Sequence, residues 1–151
     1  MTIETKEILN SDRAAFLEMA EQYYRDLNPA FVPHDDWKQH YFEKILNNPR
    51  IFARWITRDG ARAGFILFGL EDHRFLPRLT GVVYELYVRP EFRRMGIARR
   101  CAIEAIRELE SHSPSKIQLE VSFENTKAAE FWKSLGFHLV SQRYVRSEVQ
   151  G

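Results

Sequence analysis

Residues Val82 to Leu109, VVYELYVRPEFRRMGIARRCAIEAIREL, constrain the fold of this chain more than any other stretch. Val82 to Val88 is β-branched and aromatic and is stopped by Pro90, which predicts a buried strand. Ala98, Ala102, Ala105, Ile106 and Leu109 then recur at helical spacing, so Gly96 opens a helix. A strand that turns tightly into a helix leaves unpaired N–H groups and the positive end of the helix dipole at the turn. This suits a phosphate: Gly96 permits close approach to the backbone, and Arg93 and Arg94 add charge. The turn is therefore read as a pyrophosphate holder.

The rest of the chain supplies elements that could pack around this unit. Ile3 to Leu9 predicts a first strand, and Ser11 a cap for a helix whose face is Phe16, Met19, Ala20, Tyr23 and Leu27. Asn28-Pro29 ends that helix, and Trp37, Tyr41 and Ile45 share a face of a second, stopped at Asn47-Asn48-Pro49. Ile51–Thr57 and Ala63–Leu70 read as a hairpin about Asp59-Gly60. After the central helix, Ile117, Leu119, Val121 and Phe123 alternate with polar residues, the period of a strand buried on one face. Asn125 caps a short helix from Thr126 to Leu135 that Gly136 closes, and Phe137 to Val145 reads as one or two final strands. This mixed order predicts an α/β fold with one sheet and helices on both faces.

The 151 residues and 44% hydrophobic content suffice for one domain spanning 1–151. A net charge of +1 gives no bias toward nucleic acid or anionic membranes. No apolar run is long enough to span a bilayer, and MTIETKEILN lacks the form of a signal peptide, so a cytoplasmic protein is expected. The lone Cys101 excludes an internal disulfide and reads as a small buried filler. His34, His40, His73, His112 and His138 show no ligand spacing, so no metal is expected.

Arg93-Arg94-Met95-Gly96-Ile97-Ala98 resembles the Arg/Gln-x-x-Gly-x-Gly/Ala signature of the GNAT superfamily of acyl-CoA N-acyltransferases. Its setting strengthens the match: it follows a strand ending Leu86-Tyr87-Val88-Arg89-Pro90 and opens an amphipathic helix. Asn125, Ala128, Trp132, Gly136 and Phe137 then resemble the second signature, Asn-x-x-Ala-x-x-x-Tyr-x-x-x-Gly-Phe. The resemblance covers about Ala53 to Val145; the first fifty residues match only in element order. It implies a mostly antiparallel mixed sheet whose fourth and fifth strands splay around acetyl-CoA. By position, Leu86, Tyr87 and Val88 would bond the pantetheine arm, and an N–H near Val88 would polarise the thioester carbonyl. Amides from Arg94 to Arg99, through Met95, Gly96, Ile97 and Ala98, would cradle the pyrophosphate. Asn125 would reach the cofactor arm from the other side.

Glu85 is the candidate catalytic side chain. It lies among apolar Val83, Leu86 and Tyr87, where shielding raises a carboxylate's pKa and suits it to accept a proton from an ammonium. The alternative is that it pairs with an arginine or orders a loop. Trp132 departs from the family: indole is a donor without useful acidity, so it cannot protonate a departing thiolate as the usual tyrosine would. It reads as a packing or pocket-wall residue beside the cofactor. Tyr84, Tyr87 or Tyr144 could reach the sulfur, or no acid is needed. Asp35 and Asp36 could attract an amine, or serve as a helix cap and a solvated charge; Trp37 and Tyr41 read as core or as pocket wall.

The sequence therefore implies transfer of an acetyl group to a primary amine of a small molecule or peptide. The alternative is a non-catalytic acyl-CoA-binding module, motivated by Trp132; a nucleic-acid binder on Arg89 to Arg100 is the weakest reading. GNAT-like folds often dimerise, so a homodimer is among the expectations.

Overall fold

In the computed structural model, which describes residues 1–146, Asp59 and Gly60 carry positive φ values of 49° and 86°. Such a turn matches the twist of its flanking strands. It joins β2 (Ile51–Arg58) to β3 (Ala61–Asp72). Around this hairpin the sheet runs in the order β1 (Ile3–Glu7), β2, β3, β4 (Leu79–Val88), β5 (Ile117–Leu119). Each of the first four strands is antiparallel to its neighbour, and β5 is parallel to β4. The mixed sheet expected from the sequence is thus present.

The chain falls into two compact units, Met1–Leu119 and a second that begins at Glu120. In the first, α1 (Arg13–Leu27) and α2 (Asp35–Leu46) cover one sheet face. Phe16, Met19, Ala20, Phe42 and Ile45 pack there with Ala53, Trp55, Phe65, Leu67 and Tyr87. α3 (Ile97–Glu110) packs on β3 and β4, burying Ile97, Cys101, Ala102, Ala105 and Leu109. Burial pushes the Cys101 thiol up to about 11, consistent with an inert filler. Gly64 and Gly69 are places where neighbouring backbone comes too close for a side chain: a Cβ would lie 1.9 Å from the Tyr87 carbonyl oxygen and 2.3 Å from that of Arg50.

Three local expectations need correction. Ser11 does not cap α1 but sits in a 3-10 turn, Asn10–Asp12. The carboxylate of Asp12 does the organising, accepting from Leu9 N at 2.8 Å, Trp55 Nε1 at 3.1 Å and Arg62 Nη2 at 2.9 Å. A charged acceptor with distant partners displaces a hydroxyl with only local ones. The strand foreseen from Ile117 to Phe123 ends at Leu119. In the second unit, Phe137 to Val145 forms no strand, and Leu139, Val140, Tyr144 and Val145 are exposed. Strand propensity describes fit to a pleated, half-buried surface, and without a ladder partner it produces no strand. The second unit's helix is α4 (Thr126–Ser134), with Gly136 at φ 97° just beyond it.

Candidate functional site

The central strand carries an irregularity that its residue pattern does not announce. Leu67 pairs with Glu85 and Phe68 with Val83, which leaves Tyr84 as an extra, unpaired residue of β4. Bulges of this kind re-aim side chains and interrupt pairing. β5 accompanies β4 only from Gly81 to Val83. Beyond that point β4 has β3 as its one ladder neighbour among the described residues, so pairing to β5 ends where the site residues begin.

Glu85 is held by two tyrosines from the helical layer. Tyr24 of α1 donates its hydroxyl to Oε1, and Tyr41 of α2 donates to Oε2 at 2.8 Å. The two hydroxyl oxygens are 3.3 Å apart. Each carboxylate oxygen therefore has its own donor, and the carboxylate has no Lys or Arg ion-pair partner among the described residues. Burial raises the Glu85 pKa above its ordinary value, while the two tyrosine bonds pull it back. Burial, and the charge of Glu85 beside them, raise the pKa of Tyr24 and of Tyr41. The clamp thus consists of neutral phenols around one shielded carboxylate.

Neither tyrosine was assigned to Glu85 from sequence. The sequence marks Tyr41 as core or pocket wall and gives Tyr24 no role. The available signal was that a half-buried phenol needs a partner for its hydroxyl. Of the tyrosines considered for the sulfur, Tyr84 bonds Glu71, Tyr87 donates to Asp26 Oδ2 at 3.1 Å, and Tyr144 donates to Gln142 at 2.9 Å. Burial raises Tyr84, and it pushes Tyr87 up to about 12. Neither has the lowered pKa that would mark a ready acid.

The turn after β4 has the backbone shape of an anion nest. Arg94 and Gly96 both adopt positive φ, 64° and 76°. The first internal bond of α3 runs from Arg100 N to the Gly96 carbonyl at 3.1 Å. The amides of Ile97 and Ala98 precede it and so lie at the open, positive end of the helix. Buried Ile97 anchors this start, whereas Met95 is exposed.

Arg93 faces the sheet. Its Nε donates to the Val88 carbonyl at 2.8 Å, its Nη2 to Asp26 Oδ2 at 3.2 Å, and its guanidinium lies over Tyr87 at 5.7 Å. It joins the end of β4 to the end of α1, a role the sequence did not suggest.

Asp35 and Asp36 stand exposed in the first turn of α2, where acidic side chains complement the helix dipole. In the second unit, Asn125 Oδ1 caps α4 by accepting from Ala128 N at 3.1 Å. Trp132 packs edge-on against Phe131 and Phe137, with ring centres 4.9 and 5.5 Å apart. No group of His, Cys, Asp and Glu among the described residues is placed to hold a metal ion, and no helix there is long and apolar enough to cross a membrane.

Residues 14–137 match the model of the acetyltransferase (GNAT) family. An uncharacterized N-acetyltransferase of Methanocaldococcus jannaschii is 25% identical over 137 residues, covering 90% of this chain but 61% of that protein. Among solved structures, a ribosomal-protein-alanine N-acetyltransferase from Brucella melitensis biovar Abortus superposes with a TM-score of 0.78 at 20% identity, covering 98% of this chain and 100% of that one. AAC(6')-Iy, solved with the bisubstrate analogue CoA-S-monomethyl-acetylneamine, gives 0.76 at 17% identity, covering 99% and 100%. These structural likenesses concern the fold.

Proposed function

We propose that this chain, which belongs to the acetyltransferase (GNAT) family, transfers the acetyl group of acetyl-CoA to a primary amine by direct attack in a ternary complex. The observation that carries this reading is Glu85, a shielded carboxylate held by Tyr24 and Tyr41 just after the bulge in β4. An amine arrives as an ammonium and must lose a proton before its nitrogen can attack. Glu85 accepts that proton and frees the nitrogen lone pair; as the C–N bond forms and the C–S bond breaks, the nitrogen's second surplus proton passes through solvent to the released CoA thiolate. The raised pKa of Glu85 brings it nearer the operating pH of a base. Tyr24 and Tyr41 are positioning residues: they fix the carboxylate and act on the reaction through it.

The nest formed by Arg94, Gly96, Ile97 and Ala98 fits the pyrophosphate of CoA, and the open edge of Leu86, Tyr87 and Val88 fits its pantetheine arm. When bound, acetyl-CoA supplies the activated acyl group. A backbone N–H near Val88 then meets the developing oxyanion, a donor worth about 3 kcal/mol of barrier.

The test is thiol release from acetyl-CoA across a panel of mixed amines, with products identified by mass spectrometry. Turnover that collapses in Glu85→Gln while CoA affinity holds supports the proposal. Trp132 in place of the family's tyrosine favours a second reading, a binding module without chemistry. It predicts stabilisation by CoA, no turnover with any amine, and no effect of Glu85→Gln on either measurement.

A further inference from the structure

The two tyrosines that hold Glu85 belong to a cluster of four aromatic side chains from three separate segments. Tyr24 comes from α1, Phe31 from the α1–α2 connection, and Trp37 and Tyr41 from α2. Trp37 stacks on Tyr41 with centres 4.9 Å apart and meets Phe31 at 5.7 Å, and Tyr24 lies 5.2 Å from Phe31 and 6.0 Å from both Trp37 and Tyr41. These four rings are only partly buried, unlike Phe16 and Phe65 beneath them, which are fully so. They form a wall at the surface of the helical layer.

The wall differs from the other aromatic clusters in its cation contacts. Guanidinium groups lie over Phe52, Phe68, Trp55, Phe75 and Tyr87. None lies over Tyr24, Phe31, Trp37 or Tyr41 among the described residues. Glu85 likewise has no cationic partner there. A carboxylate beside an aromatic cluster and lacking a cation attracts an organic ammonium, because the carboxylate and any ring face the ammonium meets pull the same way.

We infer that the acceptor is a monoamine on a flat, apolar body: its ammonium goes to Glu85 and its body lies against Trp37 and Phe31. This rests on the proposed acetyl transfer and specifies its substrate class. An α-amino acid fits poorly, since its own carboxylate would sit beside Glu85. A polyamine brings further ammonium groups, which must leave water for ring faces with one carboxylate to share.

The experiment compares 2-phenylethylamine, phenylalanine, spermidine and a lysine-containing peptide as acceptors by thiol release, in the wild type and in Trp37→Leu. Leu keeps apolar bulk and removes the π face, and Phe31→Leu serves as the second variant should Trp37→Leu fail to fold. The expected result is a kcat/KM for 2-phenylethylamine at least tenfold above the other three. Either variant should lower it by about 3- to 30-fold, chiefly through KM, with CoA affinity unchanged. Turnover that prefers spermidine or the peptide, or is indifferent to both substitutions, overturns the acceptor assignment and leaves acetyl transfer standing. No thiol release with any amine overturns acetyl transfer itself. In that event saturable quenching of tryptophan fluorescence by 2-phenylethylamine, lost in Trp37→Leu, would still support an amine site, and its absence would remove that too.

Discussion

Gly64→Ala tests how closely β3 and β4 are joined beside the site. Gly64 pairs with Val88, and Phe65 with Tyr87. A Cβ at Gly64 would lie 1.9 Å from the Tyr87 carbonyl oxygen, 2.9 Å from its carbon and 3.0 Å from Val88 Cα. Ordinary carbon–oxygen contact is about 3.3 Å, so the strands must part by about 1.4 Å. The obstructing atoms are all backbone and cannot rotate away. Losing two ladder hydrogen bonds costs about 2 kcal/mol, and residual crowding costs about 1 to 3 more. Relief of glycine's backbone entropy returns about 0.5 to 1 kcal/mol. The net expectation is a loss of about 2 to 4.5 kcal/mol, read as a lower urea midpoint at unchanged slope.

The same displacement moves the backbone of Tyr87 and Val88, so kcat for thiol release should fall more than CoA affinity. Gly96→Ala is the contrasting variant. Nothing lies within 4 Å of its Cβ, yet φ is 76°. Its strain of about 1 to 2 kcal/mol falls on the α3 start, and CoA affinity should suffer more than kcat. A Gly64→Ala protein within about 0.5 kcal/mol of wild type, the range of a neutral surface change, and with normal turnover would refute the close approach.

Tyr41→Phe removes a bond that lowers the Glu85 pKa, so the acid limb of the kcat/KM–pH profile should move to higher pH; an unmoved limb would argue against Glu85 as the base. Glu85→Gln should stabilise the fold at neutral pH. The folded pKa of Glu85 lies above its ordinary 4.5, so its contribution to stability is full below that value and is lost as pH rises through the folded pKa. Melting curves at both ends of that window should show the variant's advantage shrinking in acid. Asp12→Ala should cost about 1 to 2 kcal/mol at neutral pH through the lost capping bond. The Leu9 amide above all, then Trp55, hold the Asp12 pKa below its ordinary value, so this cost should fade as pH falls through the lowered pKa, as urea titrations at several pH values would show.

The strand, turn and helix from Val82 to Leu109 were legible because each is fixed locally: β-branched residues, a proline stop, a glycine turn and a 3.6-residue apolar period. Glu85 stood out for the same reason, as a charge inside an apolar strand. Its partners did not, since Tyr24 and Tyr41 precede it by 61 and 44 residues and only the folded layers bring them together. The spatial partners of Arg93 were hidden in the same way. Its neighbours in sequence suggested a phosphate, whereas the nearest acceptors in space are Asp26 and the Val88 carbonyl. Phe137 to Val145 shows the converse failure, strand-forming residues for which the described structure holds no ladder.

The unpaired Tyr84 sets the phase of the central strand. Before it, Gly81 lies against Leu109 of α3, and Val83, two residues on, shares that side. After it, Glu85 and Tyr87 sit on the side of α1 and α2, although all four carry odd numbers. One surplus residue thus exchanges the two faces midway. Were Tyr84 drawn into a regular ladder opposite Leu67, strict alternation would instead turn Glu85 toward the alanines of α3, with no hydroxyl to receive it. Side-chain identity does not by itself alter this parity. The Glu85 carboxylate is therefore placed by a count of residues, and a one-residue insertion or deletion between the bulge and Glu85 should be far less tolerated than exchanges of one apolar residue for another.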